Sequence, residues 1–318
     1  MEVKEATPLP YRENVPLDQF SSYRIGGPAR AYYEAKSAEE ARAAIVEAQR
    51  QRWRLFVLGG GTNLLIDDRG FDGLVLRPNL RVLEAQGTRV RVGAGILVAE
   101  LLEFLLERSL AGLEWAGGLP GTVGGAVRGN AGAFRGEIKD VTAEVVSLDT
   151  QTLATVVRPN AECRFGYRHS IFKEGPREII LTAAFDLHEG VAPEIARVIE
   201  EKKEYRRRRH PLDYPNIGSI FKNVDLKLAP EAVRQLCAHV IKVDPFPVIP
   251  TAFLLSEAGL KGLRRGGAMI SPKHPNFIVN IDRASSSDVR ALVFEAKKTV
   301  RERFGVDLEE EIQYVDGL

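Results

Sequence analysis

Gly117-Gly118-Leu119-Pro120-Gly121-Thr122-Val123-Gly124-Gly125-Ala126-Val127-Arg128-Gly129-Asn130 is the stretch around which the chain is organised. Six of its fourteen residues are glycine. Gly takes positive φ and carries no Cβ to block an approaching ligand. So dense a run makes a poor helix or strand interior. It predicts a loop whose backbone N–H groups turn toward an anion such as phosphate. A second run, Gly59-Gly60-Gly61-Thr62-Asn63, follows the apolar segment Leu55–Leu58. Two such loops on one chain suggest a ligand with a diphosphate, such as a dinucleotide; the alternative is a pair of tight turns. Neither loop has the spacing G-x-G-x-x-G or G-x-x-x-x-G-K-[ST], so Rossmann and P-loop readings fail.

The chain of 318 residues is long for one domain and natural for two or three. Apolar residues at 44% and charged residues at 27% are ordinary for a soluble globular protein. A net charge of +1 provides no overall field for nucleic acid or a membrane. The apolar run Leu101–Leu106 is too short to span a bilayer, and Met1–Pro10 has no apolar signal core. With only Cys163 and Cys237, neither a disulfide framework nor a zinc site is expected, which makes a reducing cytoplasm the default. The five His are scattered, so no metal is expected.

Residues 1–20 read as an extended lead-in, and Ser21–Pro28 as turn chemistry. Ala31–Ala35 is a short strand, Ala38–Arg52 a helix with Ala41, Ala44, Ile45 and Ala48 on one face, and Leu55–Leu58 a buried strand. Short β runs follow at Leu74–Leu76, Val82–Leu83 and Val90–Val92. Leu97–Leu110 is an apolar helix leading into the long glycine run, and Val141–Leu148, Thr155–Val157 and Ile179–Leu187 are strands of an antiparallel sheet. Pro193–Arg209 is a helix ending in Arg206-Arg207-Arg208-Arg209 before His210-Pro211. Those arginines read equally as a solvated helix end, favourable to the dipole, or as a phosphate contact. Nucleic acid is a weaker third reading. Glu231–Ile241, Ala252–Ala258 and Ser287–Phe304 are helices, with strands at Phe277–Asn280 and Glu311–Val315.

The order of several pieces resembles the bacterial UDP-N-acetylenolpyruvoylglucosamine reductase family of cell-wall precursor synthesis. They are Tyr23-Arg24-Ile25-Gly26-Gly27, Gly59-Gly60-Gly61-Thr62-Asn63-Leu64-Leu65, and Gly121-Thr122-Val123-Gly124-Gly125-Ala126 with Asn130-Ala131-Gly132. Phe165-Gly166-Tyr167-Arg168-His169-Ser170-Ile171-Phe172, Gly218-Ser219-Ile220-Phe221-Lys222-Asn223, Glu257–Gly262 and Leu308-Glu309-Glu310-Glu311 continue the match. The resemblance implies an α+β fold: a two-part FAD-binding region of the vanillyl-alcohol-oxidase and p-cresol-methylhydroxylase type, plus a C-terminal α+β substrate-binding domain. The divisions expected are 1–70, with 304–318 returning to it, then 71–204 and 205–303.

The resemblance also implies the chemistry. NADPH is the hydride source, FAD relays the hydride, and the terminal vinyl carbon of UDP-N-acetylglucosamine enolpyruvate receives it, giving UDP-N-acetylmuramate. Negative charge developing on the adjacent carbon and carboxylate calls for cations or donors, and a proton must follow from a general acid. By motif, Arg168, Ser219 and Glu311 fall on the catalytic positions, and Lys222 and Asn223 on substrate contacts; Tyr167 and, from the run Arg206–Arg209, Arg209 are further expected contacts, with the choice within that run open. FAD contacts are expected from Tyr23, Gly59, Gly60, Gly61, Thr62, Asn63, Leu64, Gly118, Gly121, Thr122, Gly124, Gly125, Asn130 and Ala131. Neither His nor Cys occurs in Gly59–Leu65 or Gly117–Gly136, so FAD should be non-covalent. The choice of Glu311 over Glu309 and Glu310 rests on spacing from Leu308, since Glu310 stands where the family commonly has Pro. His210 stands where Gln is frequent. The short path from Arg168 to Ser219 favours the subtype without an extra Tyr-bearing loop. A monomer with no nucleic-acid or membrane partner is expected. Two readings compete: another flavin oxidase of the same fold, and a non-catalytic nucleotide- or RNA-binding protein.

Overall fold

The computed structural model describes residues 9–175, 177–243 and 246–317. The first eight residues of the expected lead-in lie outside them. From residue 12 the lead-in is a strand, β1 (Arg12–Pro16), antiparallel to β2 (Pro28–Ala35). Helix α1 (Ala38–Arg50) starts at Ser37, whose side chain accepts from the Glu40 amide, and buries Ala41, Ala44, Ile45 and Ala48. It stops two residues earlier than its periodicity suggests. Arg52 turns to φ 57, and the Trp53 amide reaches back to the Ala48 carbonyl. Strands β3 (Arg54–Val57) and β5 (Phe71–Pro78) complete a sheet ordered β1-β2-β5-β3, and β5 pairs parallel with both neighbours. Strand β5, just beyond the expected division at residue 70, lies in the middle of this sheet.

The expected antiparallel sheet is present. Its order is Thr155–Pro159, Thr142–Asp149, Glu178–Asp186, β7 (Arg89–Gly93), β6 (Leu83–Gln86). Helix α2 (Val98–Glu107) packs Val98, Leu101, Leu102 and Leu105 into the core beneath it.

The long glycine run departs from its expected loop form. Val123–Gly129 is a helix, α3, with Thr122 as its N-cap and Asn130 closing it at φ 42. Tertiary packing overrides the poor propensity of glycine: the amides of Val123 and Gly124 bond the carbonyls of Ile96 and Ala94, and a Cβ on Gly124 would lie 2.8 Å from the Ala94 Cβ.

Helix α4 (Ala192–Arg209) packs Ile195 and Ile199 into the same core and runs on across the expected division at 204. Beyond it come α5 (Glu231–Cys237), α6 (Thr251–Glu257), the strands Ala268–Ile270 and Ile278–Asn280, and α7 (Ser286–Phe304). Helix α5 is shorter than expected because the chain turns at Val240 to pair Lys242 with Val248. The acidic C-terminal segment divides its bonding. Glu309–Glu311 lies against Ile220–Lys222, whereas Gln313–Val315 pairs parallel with β4 (Leu64–Ile66). The third core also takes in Tyr23, Ile25 and Leu65 from the first part.

Candidate active site

The two glycine runs meet. A Cβ on Gly60 would stand 2.6 Å from the Gly121 Cα, and one on Gly121 would stand 2.8 Å from the Thr62 hydroxyl oxygen. Gly61 takes φ 64 against the Phe20 carbonyl, where a Cβ would come within 1.8 Å. Among the described residues, the amides of Gly59 to Asn63 and of Gly118, Gly121 and Thr122 donate to no protein acceptor. They open onto a cleft of about 2320 Å³ that also takes in Leu64, Gly124, Gly125 and Ala131. The donors for an anion are therefore mainly the first loop and the residues leading into α3, because the next amides of α3 are consumed by Ile96 and Ala94. Consecutive unbonded amides in a glycine cradle fit a diphosphate. Asn63 ties this cradle to the C-terminal segment, its Nδ2 donating to the Glu311 carbonyl at 3.0 Å.

The opposite wall comes from three distant segments. Gly166 and His169 bond each other's backbone, forming a tight turn with Arg168 at φ 56 on its tip. From there Arg168 Nε donates to Glu311 Oε1 at 2.8 Å, and its Nη2 donates to the Gly132 carbonyl at 2.8 Å. Ser219 follows Gly218, which takes φ 84. The Glu311 amide bonds the Ile220 carbonyl and the Lys222 amide bonds the Glu309 carbonyl. This pairing sets Ser219, Lys222 and Glu311 on one wall with Arg168. Among the described residues the Ser219 hydroxyl makes no hydrogen bond, so it is available to a ligand in the cleft. Lys222 pairs with Glu309 and Lys297 with Glu310, which leaves Glu311 facing Arg168. Tyr167 and Asn223 also line the cleft, with the Asn223 amide 3.4 Å from the Tyr167 hydroxyl. Burial pushes the Tyr167 phenol up.

The remaining expected contacts fall elsewhere. Tyr23 is wholly buried in the third core, donating its hydroxyl to the Ile278 carbonyl at 2.8 Å, so its side chain cannot reach the cleft. Asn130 is also wholly buried. Its Nδ2 donates to the Gly166 carbonyl at 2.9 Å and its Oδ1 accepts from the Lys139 amide. It thus braces the turn that carries Arg168 rather than facing a ligand. Arg209 is exposed beside Tyr205; the arginine of that run that enters the cleft is Arg206. Arg206 Nε donates to the Gly117 carbonyl at 2.9 Å, and its Nη2 is buried with no hydrogen-bond partner among the described residues. Helical spacing carried the signal, since Ile195, Ile199 and Arg206 recur at four and seven along one face. Arg207 and Arg208 pair with Glu200 and Glu204 as a solvated helix end.

Arg128, Lys173, His210 and His274 also line the cleft; none of them has an expected role there from the sequence. The two imidazoles stand edge to face at 5.6 Å against Phe277. Burial, with neighbouring positive groups, lowers each from 6.5 to about 4, and His274 Nδ1 is buried with no hydrogen-bond partner among the described residues. Among the described residues no His, Cys, Asp and Glu cluster could hold a metal, and no helix is long and apolar enough to cross a membrane.

Residues 29–155 match the family model described as FAD binding domain, and residues 210–315 match that of the UDP-N-acetylenolpyruvoylglucosamine reductase C-terminal domain. The UDP-N-acetylenolpyruvoylglucosamine reductase of Solibacter usitatus is 37% identical over 95% of this chain and 96% of its own length. That of Carboxydothermus hydrogenoformans is 38% identical over 96% and 93%. The crystal structure of the Thermus caldophilus enzyme superposes with a TM-score of 0.77 at 32% identity, covering 96% of this chain and 100% of that one. Relatives of this identity cover nearly the whole of both chains, and the chain belongs to the UDP-N-acetylenolpyruvoylglucosamine reductase family.

Proposed function

We propose that this chain reduces UDP-N-acetylglucosamine enolpyruvate to UDP-N-acetylmuramate with NADPH, as a soluble cytoplasmic monomer of the shorter subtype holding FAD non-covalently. The observation that carries the reading is that Arg168, paired with Glu311, and Ser219 line the same cleft as the glycine cradle. Bound FAD supplies hydride transfer between the nicotinamide and the vinyl carbon. The amides of Gly59–Asn63 would hold its diphosphate. Arg168 places positive charge where the substrate's carboxylate and adjacent carbon become negative. Ser219, whose hydroxyl is free, would deliver the proton to that carbon. Glu311 holds the Arg168 guanidinium and sits next to Ser219 in the chain pairing. Lys222 and Tyr167 would contact the substrate. Arg206 fits an anionic contact better than Arg209, because Arg206 lines the cleft and Arg209 is exposed. Arg207 and Arg208 pair with glutamates on their own helix, which favours the solvated helix end over a nucleic-acid contact.

Anaerobic titration tests this function. NADPH should bleach the flavin absorbance, and the enolpyruvyl sugar alone should restore it. Rapid reoxidation by oxygen with none by the enolpyruvyl sugar would favour a flavin oxidase instead. Heat or acid should release all the flavin from the precipitated chain; flavin left on it would reject non-covalent binding.

A further inference from the structure

The end of α3 and the turn after Arg168 are locked together. Ser170 Oγ donates to the Arg128 carbonyl at 2.6 Å, and Lys173 Nζ donates to the Arg168 carbonyl at 2.9 Å. This docking puts Arg128 and Lys173 on the wall that holds Arg168, Lys222 and Glu311. The charges there are unevenly matched. Arg168 faces Glu311, and Lys222 faces Glu309, whose side chain is 72% exposed. Among the described residues, the Arg128 guanidinium makes no hydrogen bond or ion pair, and Lys173 has no carboxylate partner. Burial pushes both cations toward their neutral forms. For Lys173, Arg128, Lys222 and Arg168 add to this and Glu311 opposes it. A desolvated cation without a counter-ion is costly, and an anion entering the cleft removes that cost.

We propose that Arg128 and Lys173 form a subsite for the substrate's carboxylate, apart from the contacts that hold its diphosphate. The inference rests on the substrate reading above. Its location selects the carboxylate. The Lys173 ammonium touches the backbone of Arg168 and feels the charge of Glu311. In the enolpyruvyl ether the carboxylate is bonded directly to the carbon that receives the proton. A cation beside the proton-transfer groups is therefore within one bond of the carboxylate, whereas the diphosphate lies a whole sugar away.

Calorimetric titration of the flavin-loaded protein separates the two anions. UDP-N-acetylmuramate bears the carboxylate; UDP-N-acetylglucosamine has the same diphosphate without it. The wild-type protein should bind the first more tightly. Arg128→Met and Lys173→Met should each cut that preference about tenfold, with the Kd for UDP-N-acetylglucosamine unchanged. Arg128→Lys and Lys173→Arg should retain most of the preference, and retained flavin absorbance reports that each variant is folded. Equal weakening toward both ligands, or an unchanged ratio, would overturn the subsite. So would a wild type without preference, even if reoxidation by the enolpyruvyl sugar upheld the reaction itself.

Discussion

Arg168 reaches Glu311 from a left-handed backbone, a conformation that costs a non-glycine residue free energy unless its surroundings hold it. Here Asn130 bonds the Gly166 carbonyl and Lys173 bonds the Arg168 carbonyl, so the turn is held on both sides. Ser219 has no such web, which suits a group whose proton must leave. Ser219→Ala should bleach with NADPH at a near-normal rate, because that half-reaction needs no proton on the substrate carbon. Its reoxidation by the enolpyruvyl sugar should slow about 10²–10⁴-fold. Stopped-flow measurement of each half-reaction checks this; a slowed NADPH step alone would return Ser219 to a turn residue. Ser219→Cys should keep part of the activity, since a thiol can also donate.

At the element scale, α3 and the first glycine run act as a single cradle. Glycine is required at Gly60 by the approach of Gly121, and at Gly124 by the approach of Ala94 rather than of a ligand. Gly60→Val should force the loops apart, and the purified protein should be colourless while keeping its far-UV circular dichroism. Gly124→Val should also be colourless, through displacement of α3 from Ala94. A yellow Gly60 variant with normal flavin content would reject the cradle. Thr122→Val removes the side-chain cap of α3 and should cost about 1 kcal/mol in denaturant unfolding. The glycine density of this helix hid it from propensity, while α1 and α7, with their Ser caps and apolar faces, were legible to within two residues.

Across the whole molecule, stability should depend on the histidine pair. His210 faces His274, Arg206 and Lys273, and His274 faces Lys242 and Arg209. Both imidazoles titrate near 6.5 when unfolded and at about 4 when folded, so between these values the unfolded chain binds more protons. Stability is therefore complete above pH 6.5 and falls as pH drops toward 4. Glu47 and Asp67, held near about 2 by arginine partners, act in a lower window. The double variant His210→Gln, His274→Gln should flatten the fall of Tm between about pH 6.5 and pH 5; an unchanged slope would show that other groups carry it. The amino-acid sequence by itself determined the type of most elements, the two glycine runs, and the motif pieces that carry Arg168, Ser219 and Glu311, because periodicity and motif order are local properties of the chain; α3 is an exception. Only the tertiary structure decided that Tyr23 and Asn130 are buried braces, that Arg206 rather than Arg209 lines the cleft, and that Arg128 and Lys173 stand there with no counter-ion among the described residues. Which way a side chain faces, and what neutralises it, depends on segments tens to hundreds of residues away. The pairing of Glu309–Glu311 with Ile220–Lys222 leaves no trace in the spacing of either segment.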